Sequence, residues 1–243
     1  MPRVVTPEEK IEEFARRVME KGLPQINRQR RNGRIYLVLK WEDGTMSAGR
    51  LDQVDGRAFY ELCKELKRMY GKSRPSSEDY IRKLWESTRL RVENELISVR
   101  ELLSGYVSDE ELEKLRGMLN DDLDGIKPTE GSITAEVYSI LKRLEVHDDD
   151  ALVVAEAELE GLGKKPDLYV RVGDREMVVE IKRPGGDLEA DLAKYEGSGF
   201  GGYVVATDFR RLKVLGPDGE EEETELFDPG EFFARVLKLL GVS

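Results

Sequence analysis

Three residues with the right types and spacing for chemistry lie within residues 164–186, "KKPDLYVRVGDREMVVEIKRPGG": Asp167, Glu180 and Lys182. Gly173-Asp174 suits a two-residue hairpin loop with Gly first, as a type II′ turn requires. Partners across such a hairpin sum to 347, so Val172 faces Arg175, Val170 faces Met177 and Leu168 faces Val179. These pairs, with Ile181, make one apolar face. Alternation then puts Asp167 opposite Glu180 on the other face, with Lys182 on the same side two residues on.

Two facing carboxylates repel, and once desolvated they need a shared proton or a cation. Oxygen ligands without His or Cys suit a hard ion, Mg²⁺ with Mn²⁺ as a substitute. Such an ion keeps waters and open positions, which phosphodiester hydrolysis uses, and a nearby lysine can orient or deprotonate the attacking water or neutralise phosphate charge. The same trio can also be a solvated strand face on which Lys182 bridges both acids; the spacing alone leaves both readings open.

The elements that must position these residues read as follows. Thr6-Pro7-Glu8-Glu9 starts a helix that runs to Gly22. "RQRRNGR" (28–34) reads as a basic loop, and residues 34–41 with "MSAGRL" as a hairpin turning at Asp43-Gly44. Residues 56–70, 77–103 and 109–119 read as helices. Residues 120–131, "NDDLDGIKPTEG", carry Gly, Pro and Asp without apolar period and read as a linker. After it come a helix (132–145), strands at 151–159, 166–172 and 175–182, a helix (187–196), strands at 202–208 and 211–215, and a last helix (229–240). Glu220–Glu223 reads as a solvated loop or edge strand. The expected division is a basic N-terminal domain (1–120) for DNA binding or dimerisation, a linker (121–131) and a second domain (132–243).

Charge supports two jobs. Residues 1–100 hold 22 Lys+Arg and 16 Asp+Glu, a net of +6, whereas residues 101–243 hold 17 and 34, a net of −17. The densest basic segment holds Arg28, Arg30, Arg31 and Arg34, flanked by Asn27, Gln29 and Asn32, which suits phosphate and groove contact. The single Cys63 excludes a cysteine metal cluster, and the single His147 excludes chemistry needing two histidines. Charged residues make up 37% of the chain against four Asn and three Gln, a composition expected of a thermophile protein. Without a long apolar run or a signal-peptide core, the sequence reads as a cytoplasmic protein with no membrane partner.

The motif and the element order together resemble the PD-(D/E)xK nuclease superfamily. The matching residues are Pro166-Asp167 and, thirteen residues after the aspartate, Glu180-Ile181-Lys182. The resemblance covers roughly 130–215 and implies an α/β chain: a restriction-endonuclease-like αβββαβ core at the C-terminus, preceded by a mixed α+β, helix-rich N-terminal domain. It implies a Mg²⁺-dependent DNA endonuclease of restriction, repair or recombination type. Asp167, Glu180 and the Ile181 carbonyl would be metal ligands, Lys182 the catalytic lysine, and Glu136 on the preceding helix an added acid. Some members carry Gln and Tyr four apart on the following helix; here Asp191 stands at the Gln position and Tyr195, read as a packing residue, at the Tyr position. Iron–sulfur branches are excluded, since they need several cysteines. Duplex cleavage by such enzymes often involves pairing, so a homodimer is an expected partner beside DNA. The rival reading keeps the fold without catalysis, as a DNA-binding or assembly module.

Overall fold

The computed structural model describes residues 5–31, 34–70, 74–119, 128–159, 162 and 165–242. It is a mixed α/β chain with two sheets, dividing into two compact units, Met1–Ser98 and Val99–Ser243. Among the described residues no helix is long and apolar enough to cross a membrane.

In the first unit, α1 (Pro7–Lys21) opens with a capping box: Thr6 accepts from the Glu9 amide and the Glu9 carboxylate accepts from the Thr6 amide. An antiparallel sheet follows, ordered β1 (Gln25–Arg31), β2 (Arg34–Trp41), β3 (Gly44–Arg50). Residues 28–31 of the expected basic loop (28–34) are therefore strand, residues 32 and 33 lie outside the described residues, and the β2–β3 turn falls on Glu42-Asp43, one residue earlier than expected. Alternation along β2 buries Leu37, Leu39 and Trp41 and turns Tyr36, Val38 and Lys40 outward. Phe14 packs edge-on against Trp41 and Phe59, with ring centroids 6.1 and 5.6 Å apart, and Phe59 in turn meets Trp85 at 4.2 Å. Helix α2 (Val54–Tyr70) starts hard against β3: a Cβ on Gly56 would lie 2.1 Å from the Arg50 carbonyl oxygen, so only glycine fits. Helix α3 (Glu78–Leu103) begins in this unit and ends in the next.

The second unit holds α4 (Asp109–Met118), α5 (Glu130–Leu141), α6 (Leu144–His147), β4 (Ala151–Ala155), β5 (Leu168–Val172), β6 (Arg175–Ile181), α7 (Leu188–Leu192), β7 (Tyr203–Thr207), β8 (Arg211–Leu215), β9 (Glu221–Glu225) and α8 (Pro229–Leu239). Its six strands lie in chain order, all neighbours antiparallel except β6 and β7. The acidic run forms the edge strand β9. One face of the sheet carries the large core of Leu168, Val170, Met177, Val179 and Ile181, packed with residues of α4, α5 and α8. The opposite face carries Tyr169 and Val178, covered by Leu188, Leu192 and Tyr195 from and just after α7.

The compact units part at 98/99, ahead of the expected boundary at 120. The physical reason is α4, whose Leu112 and Leu115 are buried in the core of the second unit. Of the expected linker, residues 121–127 lie outside the described residues, and its end is ordered: Thr129 caps α5, accepting from the Ser132 amide, and Glu130 is the first helical residue.

Candidate functional site

The β5–β6 hairpin has the register expected from its turn: Leu168 faces Val179, Val170 faces Met177 and Val172 faces Arg175. Gly173 has φ 58° and Asp174 does not share the left-handed region, the pattern of a type II′ turn. Asp167 lies just before β5 and Glu180 lies on β6, both on the sheet face that α7 covers. That face is not solvated: Glu180 is 4% exposed, and burial pushes the carboxyls of both Glu180 and Asp167 above the usual range.

Each acid has a fixed oxygen. Asp167 Oδ2 accepts from the Ile181 amide at 2.7 Å, which straps the end of β6 to the residue opening β5. Glu180 Oε1 accepts from the Tyr195 hydroxyl at 2.5 Å, while its Oε2 lies 3.8 Å from Lys194 Nζ. The charges of Asp167 and Asp191 raise the Glu180 pKa further, and those of Glu130 and Asp191 raise that of Asp167. Buried Asp191 ion-pairs through Oδ1 with Lys194, while its Oδ2 has no hydrogen-bond partner among the described residues and lies 3.5 Å from Lys182 Nζ.

Lys182 is 24% exposed and donates to Glu130 Oε1 at 3.0 Å; Glu130 Oε2 also accepts from the Arg183 amide at 3.4 Å. Burial opposes the Lys182 charge, but the Glu130 hydrogen bond and the fields of Asp191, Glu130 and Asp167 outweigh it and hold its pKa above the ordinary lysine value. The stem is hemmed in by the following loop: a Cβ on Gly186 would lie 2.6 Å from Lys182 Cβ. Asp208, also buried, fastens that loop by accepting from the Gly185 amide at 3.0 Å.

The structure thus brings together Asp167, Glu180 and Lys182, with Ile181 between the last two. It does not bring Glu136 to them. Glu136 Oε2 pairs with Lys114 of α4 at 2.5 Å. The acid of α5 that reaches the site is Glu130, six residues earlier, which is about 240° away around the helix and about 9 Å along it. Tyr195 corrects a second expectation, since its hydroxyl holds Glu180 as well as packing. Asp191 and Glu130 were missed as site acids; the signal for Glu130 was the cap pattern Pro128-Thr129-Glu130 at the end of a segment without apolar period.

The four arginines of the basic segment do not form one patch. By register Arg28 and Arg30 share the face of Leu37 and Leu39, and Arg28 lies 5.8 Å from the centroid of the Tyr60 ring. Arg31 and Arg34 face each other on the opposite, open side.

Among the described residues no group of three or more His, Cys, Asp or Glu forms a ready-made metal cage. A Mg²⁺ site needs less, one or two carboxylates with waters and phosphate oxygens completing the shell. The donor set fits: buried Glu180 and half-buried Asp167 each keep an oxygen beyond its fixed bond, and among the described residues the Asp191 Oδ2 lacks a hydrogen-bond partner. Ionised, Asp167, Glu180, Asp191 and Glu130 carry four negative charges against the two positive charges of Lys182 and Lys194, leaving the charge that one divalent cation would balance.

No protein-family model and no curated protein matches this chain. Among solved structures, a chain from "cryoEM structure DrdV-DNA complex" is similar, with 18% sequence identity and a TM-score of 0.41 over 55% of this chain and 96% of that one.

Proposed function

We propose that the second unit is a metal-dependent DNA endonuclease domain, hydrolysing phosphodiester bonds at the β5–β6 hairpin. The observation that supports this reading is the desolvated pair Asp167–Glu180 with the Lys182 ammonium on the same sheet face. Carboxylates buried at this density are costly unless a cation compensates them.

Asp167 and Glu180 are the residues that would hold Mg²⁺ or Mn²⁺, with Ile181 contributing its carbonyl. The ion would supply an activated water and charge neutralisation at the phosphate. The Ile181 amide and the Tyr195 hydroxyl each hold one carboxylate oxygen, so the other is the one presented to the ion. Lys182, with its raised pKa, is a cation at neutral pH. There it would donate to the attacking water or to a phosphate oxygen. Glu130 and Asp191 hold its ammonium until a phosphate competes for it.

The second reading is a DNA-binding or assembly module on the same scaffold without chemistry. The two ion pairs of Lys182, which satisfy it in the absence of substrate, favour it. One experiment separates the two. Supercoiled plasmid, linear duplex, branched and single-stranded oligonucleotides are incubated with Mg²⁺, with Mn²⁺ or with chelator, beside Lys182→Ala. Metal-dependent cleavage that the variant loses supports the nuclease, and the preferred substrate names its branch. Intact substrates throughout support the module.

A further inference from the structure

We propose that the open face of the β1–β2–β3 sheet reads the major groove of duplex DNA. This deepens the DNA reading above but concerns the first unit, not the unit that carries the hydrolytic residues, and it stands on its own observations.

The first is the distribution of amides. The whole chain has four Asn and three Gln. Three of those seven, Gln25, Asn27 and Gln29, sit at alternate positions of β1, so they share one face, and all three are exposed. In a chain that otherwise avoids amides, a row of three on one strand marks a surface where amide chemistry is needed. Asn and Gln side chains donate and accept in the pairing that an adenine edge presents.

The second is charge. The three strands contain six Lys and Arg and no Asp or Glu, in a chain with 50 acids among 243 residues. Arg31, Arg34 and Lys40 lie on the same open face as the amides. Arg31 and Arg34 are direct cross-strand partners, an arrangement that costs stability by like-charge repulsion. Asp52, beyond the sheet, accepts from Arg34 at 3.0 Å and also pairs with Arg50, so one carboxylate serves two guanidiniums. Arg31 bonds the Gln29 side-chain carbonyl at 2.8 Å, linking a cation to a base-reading group.

The third is shape. Thr45 and Ser47 continue the face across β3, and with Gln29, Arg31, Tyr36 and Val38 they line a shallow depression of about 240 Å³. Three strands about 4.8 Å apart present a surface about 10 Å across, which fits a B-form major groove about 12 Å wide. The deep, narrow major groove of A-form RNA does not admit it. Single strands call for several aromatic platforms, whereas Tyr36 is the one aromatic residue that the register places on this face of the three strands.

The test is selection of full-length Lys182→Ala protein, in chelator, on a library of duplexes with a randomised centre, followed by anisotropy on the enriched duplex and a scrambled one. The proposal expects enrichment of a short sequence. Asn27→Ala with Gln29→Ala should lower the ratio of enriched to scrambled affinity roughly 10- to 100-fold while leaving the salt slope unchanged. Arg31→Ala should reduce the salt slope by about one, a change that Arg16→Ala on α1 should not produce. No enrichment, preferential binding of RNA or single strands, or an amide double variant that keeps the preference overturns it. Binding that fails while the wild type still cleaves leaves the nuclease reading standing; binding that survives with no cleavage leaves this inference standing alone.

Discussion

The two sheets treat polar side chains in opposite ways. In the three-stranded sheet the described residues cover one face, and Gln25, Asn27, Gln29 and Arg31 stand exposed on the other. Hydrated there, they incur no desolvation cost. In the six-stranded sheet both faces are covered around β5 and β6, so Glu180 has lost water, Asp167 has lost part of it, and both are compensated by neighbours. A polar strand position is cheap on a bare face and functional or destabilising on a covered one. The open face suits recognition, where a partner brings its own groups; the covered face suits chemistry, where charge must be held ready.

The largest effect that can break this comparison is on catalysis. Lys182→Ala and Asp167→Ala should each lower single-turnover cleavage of the preferred substrate by at least about 100-fold, while leaving duplex affinity in chelator within a few-fold. A loss of binding equal to the loss of rate would mean that the two regions are not separate.

Next comes the acid on α5. Glu130 raises the Lys182 pKa, so Glu130→Ala should move the alkaline limb of the pH–rate profile to lower pH, and Glu136→Ala should not. An equal shift in both variants would return Glu136 to the site. Gly186→Ala sharpens the same point. Its Cβ must displace Lys182, so the cleavage rate should fall roughly tenfold by misplacement of that side chain, with Mn²⁺ affinity unchanged by calorimetry.

Gly56→Ala addresses the other sheet. Overpacking against the Arg50 carbonyl should cost the first unit about 1–3 kcal/mol in denaturant melts, with loss of duplex binding near the midpoint and retention of cation binding.

The smallest effect is on stability without metal. Asp167 and Glu180 have folded-state pKa values above their unfolded ones, so ionising them opposes folding. That penalty is absent below the unfolded values, near about 4, and complete above the raised ones. The double variant Asp167→Asn/Glu180→Gln should therefore melt above wild type in chelator, by a margin that grows as pH rises through this window. A margin that shrinks with rising pH would contradict the burial argument.

The hairpin was legible because a turn determines register. Gly first in a two-residue loop fixes the sum of partners, and alternating Val and Leu fixes which side is apolar. Strand β1 was illegible for the converse reason. "QINRQRR" has a single apolar residue, Ile26, so an edge strand with a bare face leaves no period to read. Glu136 was the expected acid because the resemblance implies one on the preceding helix, read as starting at 132. The helix begins at 130, where Thr129 caps it, and the first turn, not the second, meets Lys182. The boundary near 120 was drawn from composition, whereas α4 is assigned by where Leu112 and Leu115 are buried, which composition does not record.

In the proposed function Glu180 and Asp167 of the β5–β6 hairpin hold a divalent cation. Calorimetric titration of Mn²⁺ into wild type and Asp167→Ala, with a melting curve at each end point, tests it most directly. Saturable binding and a raised Tm are expected in the wild type, both lost in the variant. Equal binding in the two proteins, or none in either, would contradict it.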